Sequence, residues 1–143
     1  YIVVYAYSER INKIEAEAIQ AFAHSKGKKT LSIGVKQSFT DLYVNVDPFT
    51  LLAYIKNADY VITDTFHGTV FSIKYQIPFA TLIRPSNIEK LSDLLEKFGL
   101  SSRTVNDANN IKDVCTEEID KLNILKLLKT YRESAITYLK DNL

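Results

Sequence analysis

The sequence predicts a three-layer α/β domain: a mainly parallel sheet between two layers of helices, with a long helical segment at the C-terminal end. Three observations carry this. Short runs rich in Val, Ile, Tyr and Phe recur along the chain, with little polar alternation, as in strands covered on both faces. Between them lie segments whose apolar residues fall at helical spacing. The two kinds alternate, which is the pattern of parallel strands joined by crossover helices.

Taken in order, "YIVVYAY" (1–7) is the first strand, and 10–26 is a helix with Ile11, Ile14, Ala18 and Phe22 on one face and Gly27 as its stop. "KTLSIGV" (29–35) is the second strand, and the polar connection after it holds a short strand at 43–46. "DPFTLLAYIKNA" reads as a helix with Asp47 as N-cap and Pro48 at the first helical position. "DYVIT" (59–63) is a strand, followed by a short turn and a helix from Phe66 to Tyr75 that Pro78 ends. "FATLI" (79–83) is a strand; Ser86 and Glu89 have the spacing of a capping box for a helix with Ile88, Leu91, Leu94, Leu95 and Phe98 inward, closed by Gly99. A short strand follows at 103–105. From about Thr116 on, Ile119, Leu122, Leu125, Leu128, Tyr131, Ala135 and Tyr138 form the stripe of a long amphipathic helical segment, read as core packing.

Composition excludes several classes. A chain of 143 residues that is 46% hydrophobic can bury a core as a single domain. The 18 Lys and Arg against 17 Asp and Glu leave a net charge of +1, with no basic block interleaved with aromatics, so no nucleic-acid partner is expected. The single cysteine, Cys115, supports neither a disulfide nor a structural zinc site and fits the reducing cytoplasm. No apolar run approaches the roughly 18 residues of a spanning helix. The abrupt opening on a strand suggests an excised domain whose missing part precedes Tyr1.

In a parallel sheet with right-handed crossovers, ligands bind outside the carboxyl ends of the strands. That rule selects Tyr7–Arg10, Thr63–Thr69 and Arg84–Asn87. The start of a helix leaves backbone N–H groups free and carries roughly half a positive charge, so it attracts anions. "TDTFHG" supplies capping side chains at Asp64 and Thr65, an imidazole at His67, and Gly68, which allows close approach to the backbone. Imidazoles as a class titrate near pH 6.5, so His67 is a candidate for moving a proton. Arg84 is the candidate cation for a phosphorylated substrate. Plainer readings stand beside these: Asp64 and Thr65 as helix caps, His24 as a complement to a helix C-terminus, Tyr7 as core, and Arg103 as suited to a salt bridge as to a ligand.

The run "ADYVITDTFHGTVFSIKYQIPF", followed by "LSDLLEKFGLSSR" and the tail "YRESAITYLKDNL", resembles the C-terminal half of the polysaccharide pyruvyl transferase family from about Asp47 onward. The resemblance implies two Rossmann-like domains arranged as in GT-B glycosyltransferases, residues 1–143 being the second and the N-terminal one absent. It also implies transfer of pyruvyl from phosphoenolpyruvate to two hydroxyls of a sugar as a ketal, on an exopolysaccharide or capsule precursor. No metal or organic cofactor is implied; phosphoenolpyruvate is the donor substrate. His67 would be catalytic, and Thr63, Asp64, Thr65, Phe66, Gly68, Thr69 and Arg84 would bind substrate. The partners would be a glycan or lipid-linked sugar acceptor, with peripheral contact to a membrane that carries it. The chain departs from the SxRxH pattern of characterised pyruvyl transferases, having Thr65 where they carry Arg. Two alternatives have the same alternation of elements: a GT-B donor-binding domain for a nucleotide sugar, and a non-catalytic packing domain.

Overall fold

The computed structural model describes residues 1–143. Six strands form one sheet in the order β3-β2-β1-β4-β5-β6, and every neighbouring pair is parallel. They are β1 (Ile2–Tyr5), β2 (Thr30–Ile33), β3 (Leu42–Val44), β4 (Tyr60–Thr63), β5 (Phe79–Leu82) and β6 (Thr104–Val105). The helices are α1 (Lys13–Ser25), α2 (Pro48–Lys56), α3 (Phe66–Tyr75), α4 (Ile88–Lys97), α5 (Ile111–Thr116) and α6 (Lys121–Asn142). This is the Rossmann-like α/β fold, and no helix is long and apolar enough to cross a membrane.

Alternation along each strand builds two cores. Val3, Leu31, Ile33, Val61 and Phe79 point to one face, where they meet Ile55 of α2, Ile73 of α3, Leu95 of α4 and Ile124 of α6. Ile2, Val4, Ile62, Ala80, Leu82 and Val105 point to the other, against Ile19 and Phe22 of α1 and Ile111 and Cys115 of α5. Each such buried aliphatic or aromatic side chain contributes about 1.5–3 kcal/mol relative to exposure. The chain runs from β1 outward to β2 and β3, then crosses to β4 on the other side of β1 and continues outward. The topological switch point therefore lies between the carboxyl ends of β1 and β4, where crevices in such sheets form.

Several local expectations change. Helix α1 begins at Lys13, because Asn12 and Glu15 form a reciprocal capping box, and Ile14 is 65% exposed. Strand β3 is shorter than expected and shifted toward Leu42. The Ser86/Glu89 capping box does not form: Asn87 is the N-cap of α4 and its side chain makes no cap bond, being bonded elsewhere. Tyr7 is 51% exposed rather than core. The C-terminal helical segment expected from Thr116 is α6, which starts only after Asp120 caps it, and the short α5 that ends at Thr116 was not expected. Of the stripe expected as core only Ile119 is buried, with Leu122 81% exposed; the buried residue of α6 is Ile124, outside that stripe. From Lys129 to Leu143 every residue is exposed, with the Tyr131 ring still resting 5.5 Å from that of Phe98.

Candidate functional site

Two residues, Asp64 and Thr65, connect β4 to α3, and hydroxyl groups fix that turn. Thr65 is the N-cap of α3, its Oγ1 accepting from the Gly68 N–H at 2.9 Å. The Thr63 hydroxyl donates to the Tyr5 carbonyl at 2.6 Å and accepts from the Thr65 N–H at 3.0 Å. That leaves the Thr65 hydroxyl as donor in its 3.0 Å contact with Thr63 Oγ1. The Thr69 hydroxyl donates to the Thr65 carbonyl at 3.0 Å. Thr63, Thr65, Gly68 and Thr69 are all buried, and these polar groups are satisfied inside the protein. Gly68 has a packing reason that differs from ligand approach: a Cβ there would lie 2.2 Å from Thr63 Oγ1.

Asp64 is fully buried and stitches three loops together. Its Oδ1 accepts from the Tyr7 N–H at 3.1 Å, across the switch point, and its carbonyl accepts from Asn87 Nδ2 at 2.7 Å. Its Oδ2 is buried without a partner. Burial pushes the Asp64 carboxyl above the usual carboxylate range, against the Tyr7 N–H bond and the charges of Arg84 and Arg10. Asn87 Oδ1 in turn accepts from the Arg84 N–H at 2.8 Å. The segments Tyr7–Arg10, Thr63–Thr69 and Arg84–Asn87 thus do come together at one sheet edge.

Arg84 reaches into this network rather than outward. Its Nη1 and Nη2 donate to Glu15 Oε1 and Oε2 at 2.7 and 2.8 Å, a bidentate pair. The hydrogen bonds to Glu15 hold the guanidinium pKa above its ordinary value, against burial. Its charge is matched, so it differs from the free cation that the sequence suggests. Arg103 makes no salt bridge: it is buried and donates to the Val114, Glu117 and Glu118 carbonyls, satisfying acceptors where α5 ends.

Of the residues singled out in the turn, Phe66 and His67 face solvent. His67 is in the first turn of α3 on the carboxyl edge, its ring 6.2 Å from the rings of Phe66 and Phe71. Its ring nitrogens make no hydrogen bond to the protein, so both are available to a ligand. Phe66 and His67 also precede the first intrahelical bond, so their N–H groups point out at the positive end of the dipole. Beside them lies a cleft of about 130 Å³ lined by Tyr5, Ala6, Tyr7, Ile33, Gly34, Val35, Thr65 and His67. The cleft is smaller than the roughly 300 Å³ at which small-molecule sites begin. A larger hollow, about 810 Å³, lies near Tyr60, Pro78 and the Cys115–Leu122 segment, at the starts of strands. It is lined by Glu117, Glu118, Asp120 and Lys121, and burial pushes its Cys115 thiol up to about 12, so that group is no thiolate nucleophile. The smaller cleft is the one that carries His67 and the switch-point loops, and no three His, Cys, Asp or Glu side chains gather as metal ligands.

Sequence reading missed Glu15 and Gln37, and took in Asn87 only as the end of the Arg84–Asn87 segment. Gln37 is buried and its Nε2 donates to the Ala6 and Tyr7 carbonyls at 3.3 Å. A buried amide or carboxylate on an otherwise exposed segment has no local signature, and only the fold brings its partners near.

No curated protein matches this chain. Among solved structures, the crystal structure of the glycosyltransferase SnogD from Streptomyces nogalater is similar at a TM-score of 0.44 and 14% identity, covering 88% of this chain and 38% of that one. The chain therefore spans well under half the length of that protein. A family model described as polysaccharide pyruvyl transferase matches residues 2–87. That match starts earlier than the expected Asp47 and stops at Asn87, so the segment from "LSDLLEKFGLSSR" to the C-terminal tail lies outside it. It takes in β1 to β5 and all three loops of the switch point, more than half of the chain, and the protein belongs to the polysaccharide pyruvyl transferase family.

Proposed function

We propose that the protein transfers the pyruvyl group of phosphoenolpyruvate to a sugar of an exopolysaccharide or capsule precursor, as a ketal. The observation that carries this reading is the family match over residues 2–87, which includes His67 and the switch-point loops. In the reaction a proton adds to the methylene carbon of the enol, and the adjacent carbon becomes a cation. An acceptor hydroxyl attacks that carbon and loses its proton; the carbon–oxygen bond to phosphate breaks; the second hydroxyl closes the ketal. His67, with both ring nitrogens unengaged and the helix dipole behind it, suits the role of general acid or of hydrogen-bond donor to the phosphate. The N–H groups of Phe66 and His67 suit the donor's oxyanions. Thr63, Asp64, Thr65, Gly68, Thr69 and Arg84 support those groups from beneath. The reaction needs no metal or organic cofactor.

A cleft of about 130 Å³ cannot enclose both substrates. We therefore read residues 1–143 as one wall of a two-domain site, with the acceptor glycan or lipid-linked sugar held mainly by an N-terminal domain. The work would be done in the cytoplasm, at the surface of a membrane carrying the acceptor. The test is to incubate full-length protein with a glycan acceptor and either phosphoenolpyruvate or nucleotide sugars. Consumption of phosphoenolpyruvate with phosphate release is expected, and His67→Ala should lower kcat more than it raises KM. Consumption of a nucleotide sugar alone would overturn the reading.

A further inference from the structure

We propose that Arg10 is the residue that meets the anionic group of the ligand at the switch point, with Tyr7 as its strut. This rests on the transferase reading only for the identity of the anion. The chain has four arginines; besides Arg10, two are committed to partners within the fold and one lies on α6 rather than on a switch-point loop. Arg84 is paired with Glu15 through both terminal nitrogens. Arg103 is buried among backbone carbonyls, and Arg132 lies on the exposed end of α6.

Arg10 differs from all three. It is exposed on the loop that leaves β1 and forms no ion pair with any carboxylate. Its guanidinium carbon sits 4.9 Å from the centre of the Tyr7 ring, a cation–π contact that orients the plane without neutralising it. One long bond, from Nη1 to Ser86 Oγ at 3.2 Å, uses one of five N–H donors. Tyr7 itself lines the cleft shared with His67, and its N–H is bonded to Asp64 at the foot of α3. The strut thus ties Arg10 to the wall that carries His67. Glu9, just before it, is held at φ 57°, a left-handed conformation that non-glycine residues rarely adopt and that gathers at ligand sites. The Arg10 charge is felt at the buried Asp64 carboxyl, which burial pushes above the usual carboxylate range, but the two form no ion pair. A planar cation with free edges fits a phosphate or carboxylate bidentately. Lys36, exposed beyond Gly34 on the other rim of the cleft, is the competing cation, and it has no such support.

Calorimetric titration of the full-length protein with inorganic phosphate, and separately with phosphoenolpyruvate, tests this without turnover. Arg10→Ala should weaken binding of both at least 10-fold, Arg10→Lys should recover part of the loss, and Lys36→Ala should change affinity by less than 3-fold. Thermal unfolding of each variant checks that the fold is kept. Wild-type affinity in Arg10→Ala, an equal loss in Lys36→Ala, or no phosphate binding by the wild type overturns the assignment. Loss of phosphate binding in Arg10→Ala, in a protein that consumes no phosphoenolpyruvate, upholds Arg10 and removes the pyruvyl-transfer reading instead.

Discussion

The β4–α3 turn and the β1–α1 turn face each other across the switch point, and they use their polar groups differently. In the first, Thr63, Thr65 and Thr69 bond to one another and to nearby backbone, and nothing but Phe66 and His67 is left facing out. In the second, Tyr7, Ser8, Glu9 and Arg10 are all exposed, and the charge of Arg10 has no acidic partner. One turn is a fixed wall, and the other leaves its charge unpaired. Burial separates the two roles, because a satisfied buried hydroxyl can only position its neighbours, whereas an exposed cation can still exchange water for a ligand.

The largest expected effect is on the fixed wall. Gly68→Ala would bring Cβ to 2.2 Å from Thr63 Oγ1 and 2.8 Å from Thr63 Cβ, and neither atom ends a flexible chain. Stability should fall by about 2–3 kcal/mol, as in overpacked sites, measured by urea unfolding. The double variant Gly68→Ala/Thr63→Ala should lose less than the sum of the singles. Additive losses would mean that Gly68 is needed for some other reason than this contact.

Next comes the contrast between the two arginines. Arg84→Ala removes both bonds to Glu15, whose side chain is only 10% exposed. The cost should be about 2 kcal/mol for a charge left without its partner, and Glu15→Gln in the same chain should restore part of it. Arg10→Ala, at an exposed position, should cost less than about 0.5 kcal/mol. Equal losses would erase the distinction between a structural and an unpaired cation.

A third expectation concerns pH. Asp64 is held above the usual carboxylate range in the folded state, so the unfolded chain releases this proton first, near pH 3.9. Between that pH and the raised folded value the native state binds more protons than the unfolded state. The contribution of Asp64 to stability therefore falls as pH rises through the window and stays constant above it. Asp64→Asn keeps an acceptor for the Tyr7 N–H and removes the titration. Its stability relative to wild type should improve as pH climbs through that window, and parallel pH curves would argue against a buried, displaced carboxyl.

The same comparison explains what was legible in the sequence. The strands, helix α3 and the three loops could be read because periodicity, Pro48, Pro78 and the glycines act within a few residues. The links among the loops could not: Glu15 and Arg84 are 69 positions apart, and only the completed sheet brings them together. Gly68 was visible as a special residue, but its cause, the Thr63 hydroxyl below it, is a packing contact. Ser86 and Glu89 had the right spacing for a cap, yet in the fold Ser86 receives Arg10 and Asn87 holds the loops. The stripe on α6 was read correctly as apolar and wrongly as core, because periodicity reveals that a face exists and not what covers it.

The smallest effect, and the one of opposite sign, is expected in the exposed turn at Glu9. A non-glycine residue at φ 57° carries a penalty of roughly 1–2 kcal/mol from Cβ against the following carbonyl. Glycine avoids that penalty, although its freer unfolded chain returns about 0.5–1 kcal/mol of it. Glu9→Gly should therefore leave the protein as stable as wild type or more stable by about 0.5 kcal/mol, whereas a substitution in the opposite turn costs several times that. The same change loosens the backbone that aims Arg10, so phosphate affinity should fall even as stability holds or rises. Opposite movement of the two quantities is what a turn strained for a ligand produces. A drop in stability with no change in phosphate affinity would instead mark the Glu9 conformation as part of the scaffold, and the two turns would then differ in exposure alone.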